Sequence, residues 1–273
     1  MWWVLINPLR AALAGIPELA FLADATFTPV ASDSHQTYKV CHPDLTAALK
    51  WLDHRYPRFI DLKREYTNHC IAAAIGVAPK VVYYDPRIWV SHWMKGALPL
   101  QPVDVKDWQL FEKLADILAR IHTSESNFSN DVSLLQIVDW NLKQCPDQRQ
   151  REHELRQQAA RLLHEDQSDR VNCHGDTTLG NFMVYTNTDA LELIDFEYSH
   201  RGSAFWDLAI LCNDLHLQPD EAGAFLGRYL RYRDESSMVN PSQLSLLNQY
   251  RRLVGDISEL WYLNRNLAQP QKT

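Results

Sequence analysis

Apolar positions follow two different periods along the chain, and the change of period divides it. Phe27-Thr28-Pro29-Val30 and Gln36–His42 (QTYKVCH) read as strands. Thr46–Leu52 (TAALKWL) fits a strand or a helix, while Ile60–Ala74 carries helical spacing through Leu62, Tyr66, His69 and Ala73. Val81–Tyr84 and Arg87–Met94 flank Asp85-Pro86, which predicts a hairpin. Residues 95–105 (KGALPLQPVDV), with Gly96, Pro99 and Pro102, predict a hinge. Beyond it helices dominate. Leu110, Leu114, Ile117, Leu118 and Ile121 make one stripe between Asp107 and His122. Leu244, Leu247, Leu253, Ile257, Leu260 and Trp261 make another after the helix-starting Asn240-Pro241-Ser242. A short helix is expected near the start, with Asn7 as its cap, Pro8 as its first residue and Gly15 just past its end. The pattern predicts an α+β protein with a small β-rich part to residue 95 and a mostly helical part over residues 96–273.

Composition narrows the partners. The 273 residues are 46% hydrophobic, 22% charged and 11% aromatic, which describes a globular chain. A formal charge of −7 argues against a nucleic-acid or anionic-membrane footprint, so small molecules or proteins are expected as partners. No apolar run approaches the ~18 residues that suggest a membrane span. The apolar opening is broken by Asn7-Pro8, Arg10 and Gly15-Ile16-Pro17 and has no basic start, so no secretory leader is expected. Cys41, Cys70, Cys145, Cys173 and Cys212 show no metal or disulfide spacing, which suits free thiols in a reducing cytoplasm.

One strand-rich island interrupts the helical part, over residues 171–209 (VNCHGDTTLGNFMVYTNTDALELIDFEYSHRGSAFWDLA). FMVY and ALELIDF read as strands joined by Thr186-Asn187-Thr188-Asp189. Pairing Tyr185 with Ala190 sets Asn181 opposite Ile194 and beside Asp195, with the two side chains ~5–8 Å apart by cross-strand geometry. Asp176 lies five residues upstream of Asn181, in a loop at the same end. An amide and two carboxylates converging there are hard oxygen ligands suited to Mg²⁺, which bridges phosphate oxygens. A polyphosphate substrate is implied.

His174-Gly175-Asp176, Asn181 and Asp195-Phe196-Glu197 together reproduce the His-x-Asp-x-x-x-x-Asn and following metal-binding Asp of kinase-like phosphotransferases. Glycine between His and Asp, and glutamate after Asp-Phe, resemble the choline/ethanolamine kinase and aminoglycoside phosphotransferase superfamily, which includes thiamine kinase. The resemblance implies a bilobal protein kinase-like fold, ATP and Mg²⁺ as cofactors, and a small alcohol as substrate. It implies Asp176 as the base or orienting group for the hydroxyl, with His174 supporting the loop. Asn181 and Asp195 become metal ligands. The segment from Phe59 to Asp85 resembles choline kinase-like proteins and puts Glu65 on the helix facing the nucleotide cation, for which Lys50 matches and Lys39 is the rival.

The family covers phosphates with a glycine-bearing turn, yet Ala31–Val40 has no glycine. Ser32 and Ser34 would donate hydroxyls there instead, with Asp33 turned away. On the acceptor side the resemblance places Asp214 near the substrate's cationic head and Trp261 as a cation-π wall, with Ser258 where a companion aromatic would stand. Glu197 and Tyr198 are further substrate-side candidates. Trp206 and Tyr262 read as walls or as core. Asp207 reads as a first-turn residue favoured by the helix dipole. Choline or ethanolamine is the expected acceptor, then thiamine, then an aminoglycoside. A nucleotide-binding protein without turnover is the alternative of another class.

Overall fold

The computed structural model describes residues 3–31, 36–52, 61–101, 108–233 and 238–268. The first helix α1 spans Trp3–Ala14 and contains Pro8 in its interior. The expected start at Asn7 is therefore displaced by about a turn. Pro8 removes one helical N–H donor, but Leu9 and Leu13 are wholly buried, and each such burial contributes ~1.5–3 kcal/mol. Those side chains, with Leu19 and Leu22 of the following single turn, pack on Tyr38, Val40 and Leu49 of the sheet.

That sheet is antiparallel, in the order β1-β2-β3-β5-β4, from β1 (Thr26–Val30), β2 (Gln36–His42), β3 (Leu45–Trp51), β4 (Val81–Tyr84) and β5 (Ile88–His92). The undecided Thr46–Leu52 segment is thus strand. Ala47 and Leu49 turn into the core while Lys50, on the opposite face, pairs with Thr37 and Trp89. Between β3 and β4 runs α2 (Leu62–Ala74), capped by the Asp61 carboxylate, which accepts from the N–H groups of Lys63 and Arg64.

Of the stripe expected from Leu62, Tyr66, His69 and Ala73, only His69 lies on the buried face of α2. That face carries Glu65, Asn68, His69 and Ala72. A helix turned toward a polar site buries polar residues, and the hydrophobic pattern then marks the wrong face.

Part of the expected hinge becomes β6 (Ala97–Pro99), which pairs with β8 (Phe182–Tyr185) in a three-stranded sheet completed by β9 (Leu191–Leu193). A second small ribbon joins β7 (Val171–Cys173) to β10 (His200–Gly202). Around these lie α3 (Trp108–His122), α4 (Leu134–Gln144), α5 (Glu152–Glu165), α6 (Ala204–Asp214), α7 (Pro219–Tyr232) and α8 (Pro241–Ala268). The α3 stripe is buried as expected, and Asn240 caps α8 by accepting from the Gln243 N–H. All five cysteines are free. Among the described residues no helix is long and apolar enough to cross a membrane.

Candidate active site

The β8–β9 hairpin forms in the expected register, with Phe182 opposite Leu193 and the Tyr185 N–H donating to the Ala190 carbonyl. Past the last ladder pair, the Ile194 N–H still donates to the Asn181 carbonyl at 3.0 Å. Asn181 and Asp195 therefore leave the ribbon at one end. The Asn181 Nδ2 donates to both the backbone oxygen and Oδ2 of Asp176, each at 2.9 Å. With the amide nitrogen committed to Asp176, the oxygen is the atom that remains for a cation.

Asp195 holds a left-handed backbone, φ 68°, which a non-glycine residue adopts only when its surroundings enforce it. Its Oδ1 lies 3.1 Å from Lys50 Nζ, and Lys50 also reaches Glu65 Oε1 at 3.2 Å. Burial opposes the charge on Lys50, but Asp195 and Glu65 outweigh it and raise its pKa. Lys39, the rival cation, sits instead over the Trp93 ring.

Three other carboxyls show the reverse. Burial and the neighbouring Asp195 raise the pKa of Asp176. Burial also raises Glu65, against the pull of Lys50. Glu197 is pushed up to about 8 by burial and by the charges of Asp195 and Glu65. Crowded carboxyls that resist ionisation are sites short of positive charge. Glu65 Oε2 and Glu197 Oε2 are buried with no hydrogen-bond partner. This donor set, hard oxygens around an electrostatic deficit, fits a divalent ion such as Mg²⁺.

The loop that presents Asp176 is fixed from below. His174 Nε2 lies 2.9 Å from the Ile194 carbonyl oxygen, and the His174 ring packs edge-on to Phe196. Gly175 has φ +86°, and a Cβ there would meet the backbone carbonyl of Tyr198, its carbon at 2.8 Å. Only glycine fits between His and Asp in this loop, because the segment after Asp195 crosses directly over it. α2 locks onto the same segment through Asn68, whose Nδ2 donates to Ser199 Oγ at 3.0 Å.

Asp207 was missed in this role by sequence reasoning. Rather than serving the dipole of α6, it is fully buried and accepts from the N–H groups of His174 and Gly175 at 2.7 and 2.9 Å. Its carboxyl stays below the usual range despite burial, through hydrogen bonding from His122 and the Gly175 N–H. An aspartate in a hydrophobic helix (AFWDLAILC) was the available signal, since a buried charge requires partners.

On the acceptor side the candidates scatter. Tyr198 is partly buried, with its ring edge-on to Trp140 of α4 at 6.1 Å. Trp206 is buried, its indole N–H donating to the Gly175 carbonyl, so it serves the loop. Asp214 Oδ2 accepts from the Leu179 N–H at 2.7 Å. Trp261 lies on α8, its side chain outside the described residues, and the neighbouring Tyr262 is exposed. Ser32 and Ser34 also lie outside the described residues.

A family model described as a phosphotransferase enzyme family matches residues 26–239, which takes in both the Lys50 strand and the Asp176–Asp195 hairpin. The chain belongs to that phosphotransferase family. No curated protein sequence matches the chain. Among solved structures, this phosphotransferase resembles choline kinase LicA from Streptococcus pneumoniae, at 19% identity and a TM-score of 0.76 over 98% of this chain and 92% of that one. An ethanolamine kinase from Plasmodium vivax superposes at 16% identity and a TM-score of 0.77, covering 97% and 83%. An aminoglycoside-3'-phosphotransferase of type VIII superposes at 20% identity and 0.60, covering 90% and 98%. The fold is the bilobal, kinase-like α+β architecture of these proteins.

Proposed function

We propose that the protein transfers the γ-phosphoryl group of ATP to the hydroxyl of a small, cationic alcohol, choline or ethanolamine first among them. The observation that carries this reading is the convergence of Asp176, Asn181 and Asp195 beside the Lys50–Glu65 pair. Residues 1–95 would hold the nucleotide, and residues 96–273 the catalytic loop and the acceptor. A solved LicA complex contains AMP, LicA itself is a choline kinase, and another neighbour is an ethanolamine kinase, which supports both substrates.

In this scheme the alcohol oxygen attacks the γ-phosphorus, the bond to the β-phosphate oxygen breaks, and ADP leaves. Asp176 accepts the hydroxyl proton, for which a carboxyl raised above its usual range is better suited than an ordinary one. Lys50, oriented by Glu65, neutralises phosphate charge. Mg²⁺ held by Asn181 and Asp195, with Glu197 close by, would supply charge neutralisation for the phosphate oxygens. His174 and Asp207 keep the loop in register. Asp214, Tyr198 and Trp261 would meet the cationic head, and Ser32 and Ser34 the nucleotide phosphates. The cytoplasm, where ATP and free thiols coexist, suits this chemistry.

Thermal shift with ATP and Mg²⁺, followed by product detection across choline, ethanolamine, thiamine and an aminoglycoside, tests the proposal. Phosphorylation of choline or ethanolamine bears it out, and thiamine or aminoglycoside product reassigns the acceptor. The glycine-free Ala31–Val40 segment favours a second reading, a binding protein without turnover, and ATP binding with no product from any acceptor would establish that one.

A further inference from the structure

Asp207, the anchor of the catalytic loop, is the inner end of a hydrogen-bonded chain that begins at Arg233, just past the end of α7. Arg233 Nη1 donates to the Tyr229 hydroxyl at 3.1 Å. That hydroxyl lies 2.7 Å from His122 Nδ1, and His122 Nε2 lies 3.1 Å from Asp207 Oδ2. The same carboxylate receives the N–H groups of His174 and Gly175. Tyr229, His122 and Asp207 are 1%, 5% and 0% exposed, so the network is shielded from bulk solvent.

His122, Cys173 and Asp207 lie close enough to hold a metal ion. The donors are committed otherwise. Burial raises the Cys173 thiol well above its ordinary pKa, and its Sγ donates to the Ser203 carbonyl. A protonated thiol and an imidazole with both nitrogens engaged describe an anchor rather than a metal centre.

Proton accounting gives the chain its direction. An ionised carboxylate only accepts, so His122 Nε2 carries the hydrogen that bridges to Asp207. A neutral ring then has a lone pair on Nδ1, and the Tyr229 hydroxyl fills it by donating. The tyrosine oxygen in turn accepts from Arg233. With the tautomer reversed, two lone pairs would face each other between Nε2 and Oδ2 in a buried setting.

We propose that Tyr229 is a positioning residue for phosphoryl transfer. Asp207 sets the Nε2-protonated tautomer, and the Tyr229 hydroxyl, by donating to Nδ1, holds the ring in the orientation from which Asp207 keeps the backbone on which Asp176 stands. The inference deepens the catalytic reading of the Asp176 loop and rests on it.

The test uses the full chain, ¹⁵N-labelled at histidine, with the His122 signal assigned from His122→Gln. Long-range ¹H–¹⁵N correlation should show a protonated Nε2 and a bare Nδ1. Tyr229→Phe should leave Nε2 protonated but free the ring, speed amide exchange at Gly175 about tenfold and lower kcat for choline phosphorylation about tenfold, the scale on which lost outer-shell partners act. KM for ATP should stay within about twofold. His122→Gln, which keeps a donor for Asp207, should retain more activity than His122→Leu. A wild-type His122 protonated on Nδ1 or on both nitrogens overturns the proposal, as does unchanged Gly175 exchange in Tyr229→Phe. If the wild type phosphorylates no acceptor, the catalytic reading fails, while the tautomer and exchange results still decide whether Tyr229 holds the loop.

Discussion

The ammonium of Lys50 lies 3.1 Å from Asp195 Oδ1, joining the five-stranded sheet to the end of the β8–β9 hairpin across 145 residues of sequence. Glu65 completes the triad at 3.2 Å and is 1% exposed. Lys50→Met should lower kcat by roughly 10²–10³-fold, the range seen when one preorganised electrostatic group is removed. It should also destabilise the fold, because Glu65 is left buried without its cation. Adding Glu65→Gln to Lys50→Met should restore most of the lost Tm and none of the activity. A double variant no more stable than the single one would show that the ion pair is not what holds Glu65 in place.

Asp176→Asn separates chemistry from stability. Burial and Asp195 already raise the Asp176 pKa, so its charge is a burden on the folded state at neutral pH. Replacement by the neutral isostere should leave Tm unchanged or slightly higher, while kcat falls by several orders of magnitude. Steady-state kinetics beside thermal unfolding would check both. A rate near wild type would remove Asp176 from the role of base.

The hairpin was legible from sequence because a short turn between alternating strands fixes register, and register alone carries Asn181 to the side of Asp195. Lys50 and Glu65 were legible through family resemblance, since the strand around Lys50 has no decisive period. Asp207, His122 and Tyr229 were not. They come from α6, α3 and α7, and no local pattern encodes which buried polar groups meet across three helices. The α2 face was misread for a related reason. Its inward residues serve the site, so Glu65 and Asn68 are buried where periodicity seeks apolar side chains, and of the expected stripe only His69 joins them.

Gly175 and Gly180 make a matched pair within the same loop. A Cβ at Gly175 would collide with the Tyr198 carbonyl in a backbone conformation that L residues avoid, whereas a Cβ at Gly180 meets nothing within 4 Å. Gly175→Ala should cost about 1–3 kcal/mol and disable the loop. Gly180→Ala should behave as wild type in both urea unfolding and turnover. Equal effects would mean that the close crossing of Tyr198 over Gly175 does not constrain the loop.

His69 predicts an acid-sensitive fold. It sits in the α2 face against Trp89 and Phe196, its Nε2 is 2.7 Å from the Pro79 carbonyl oxygen, and burial lowers its pKa to about 4. Above pH ~6.5 the imidazole is neutral whether the chain is folded or not. Between there and about 4 the unfolded chain binds a proton that the fold refuses, so stability is lost as pH falls. The slope approaches about 1.4 kcal/mol per pH unit for one proton. His69→Gln keeps a donor for Pro79 and removes the titration. Its urea midpoint should therefore decline less than that of wild type between pH 6.5 and 4.5, and parallel curves would exonerate His69.

Asp214 combines one duty visible in the structure with one that the proposed function would give it. Its Oδ2 accepts the Leu179 N–H, two residues before Asn181, so it helps set the turn from which the Asn181 amide emerges. Its charge is the feature proposed to attract the acceptor's cationic head. Asp214→Asn keeps an acceptor for Leu179 and deletes the charge, so KM for choline should rise about tenfold while kcat holds. Asp214→Ala deletes both, and kcat should fall as well because Asn181 loses its support. If Asp214→Asn leaves KM unchanged while Asp214→Ala lowers kcat, the carboxylate only shapes the turn, and the cationic head is met by the aromatic side chains around Tyr198 alone.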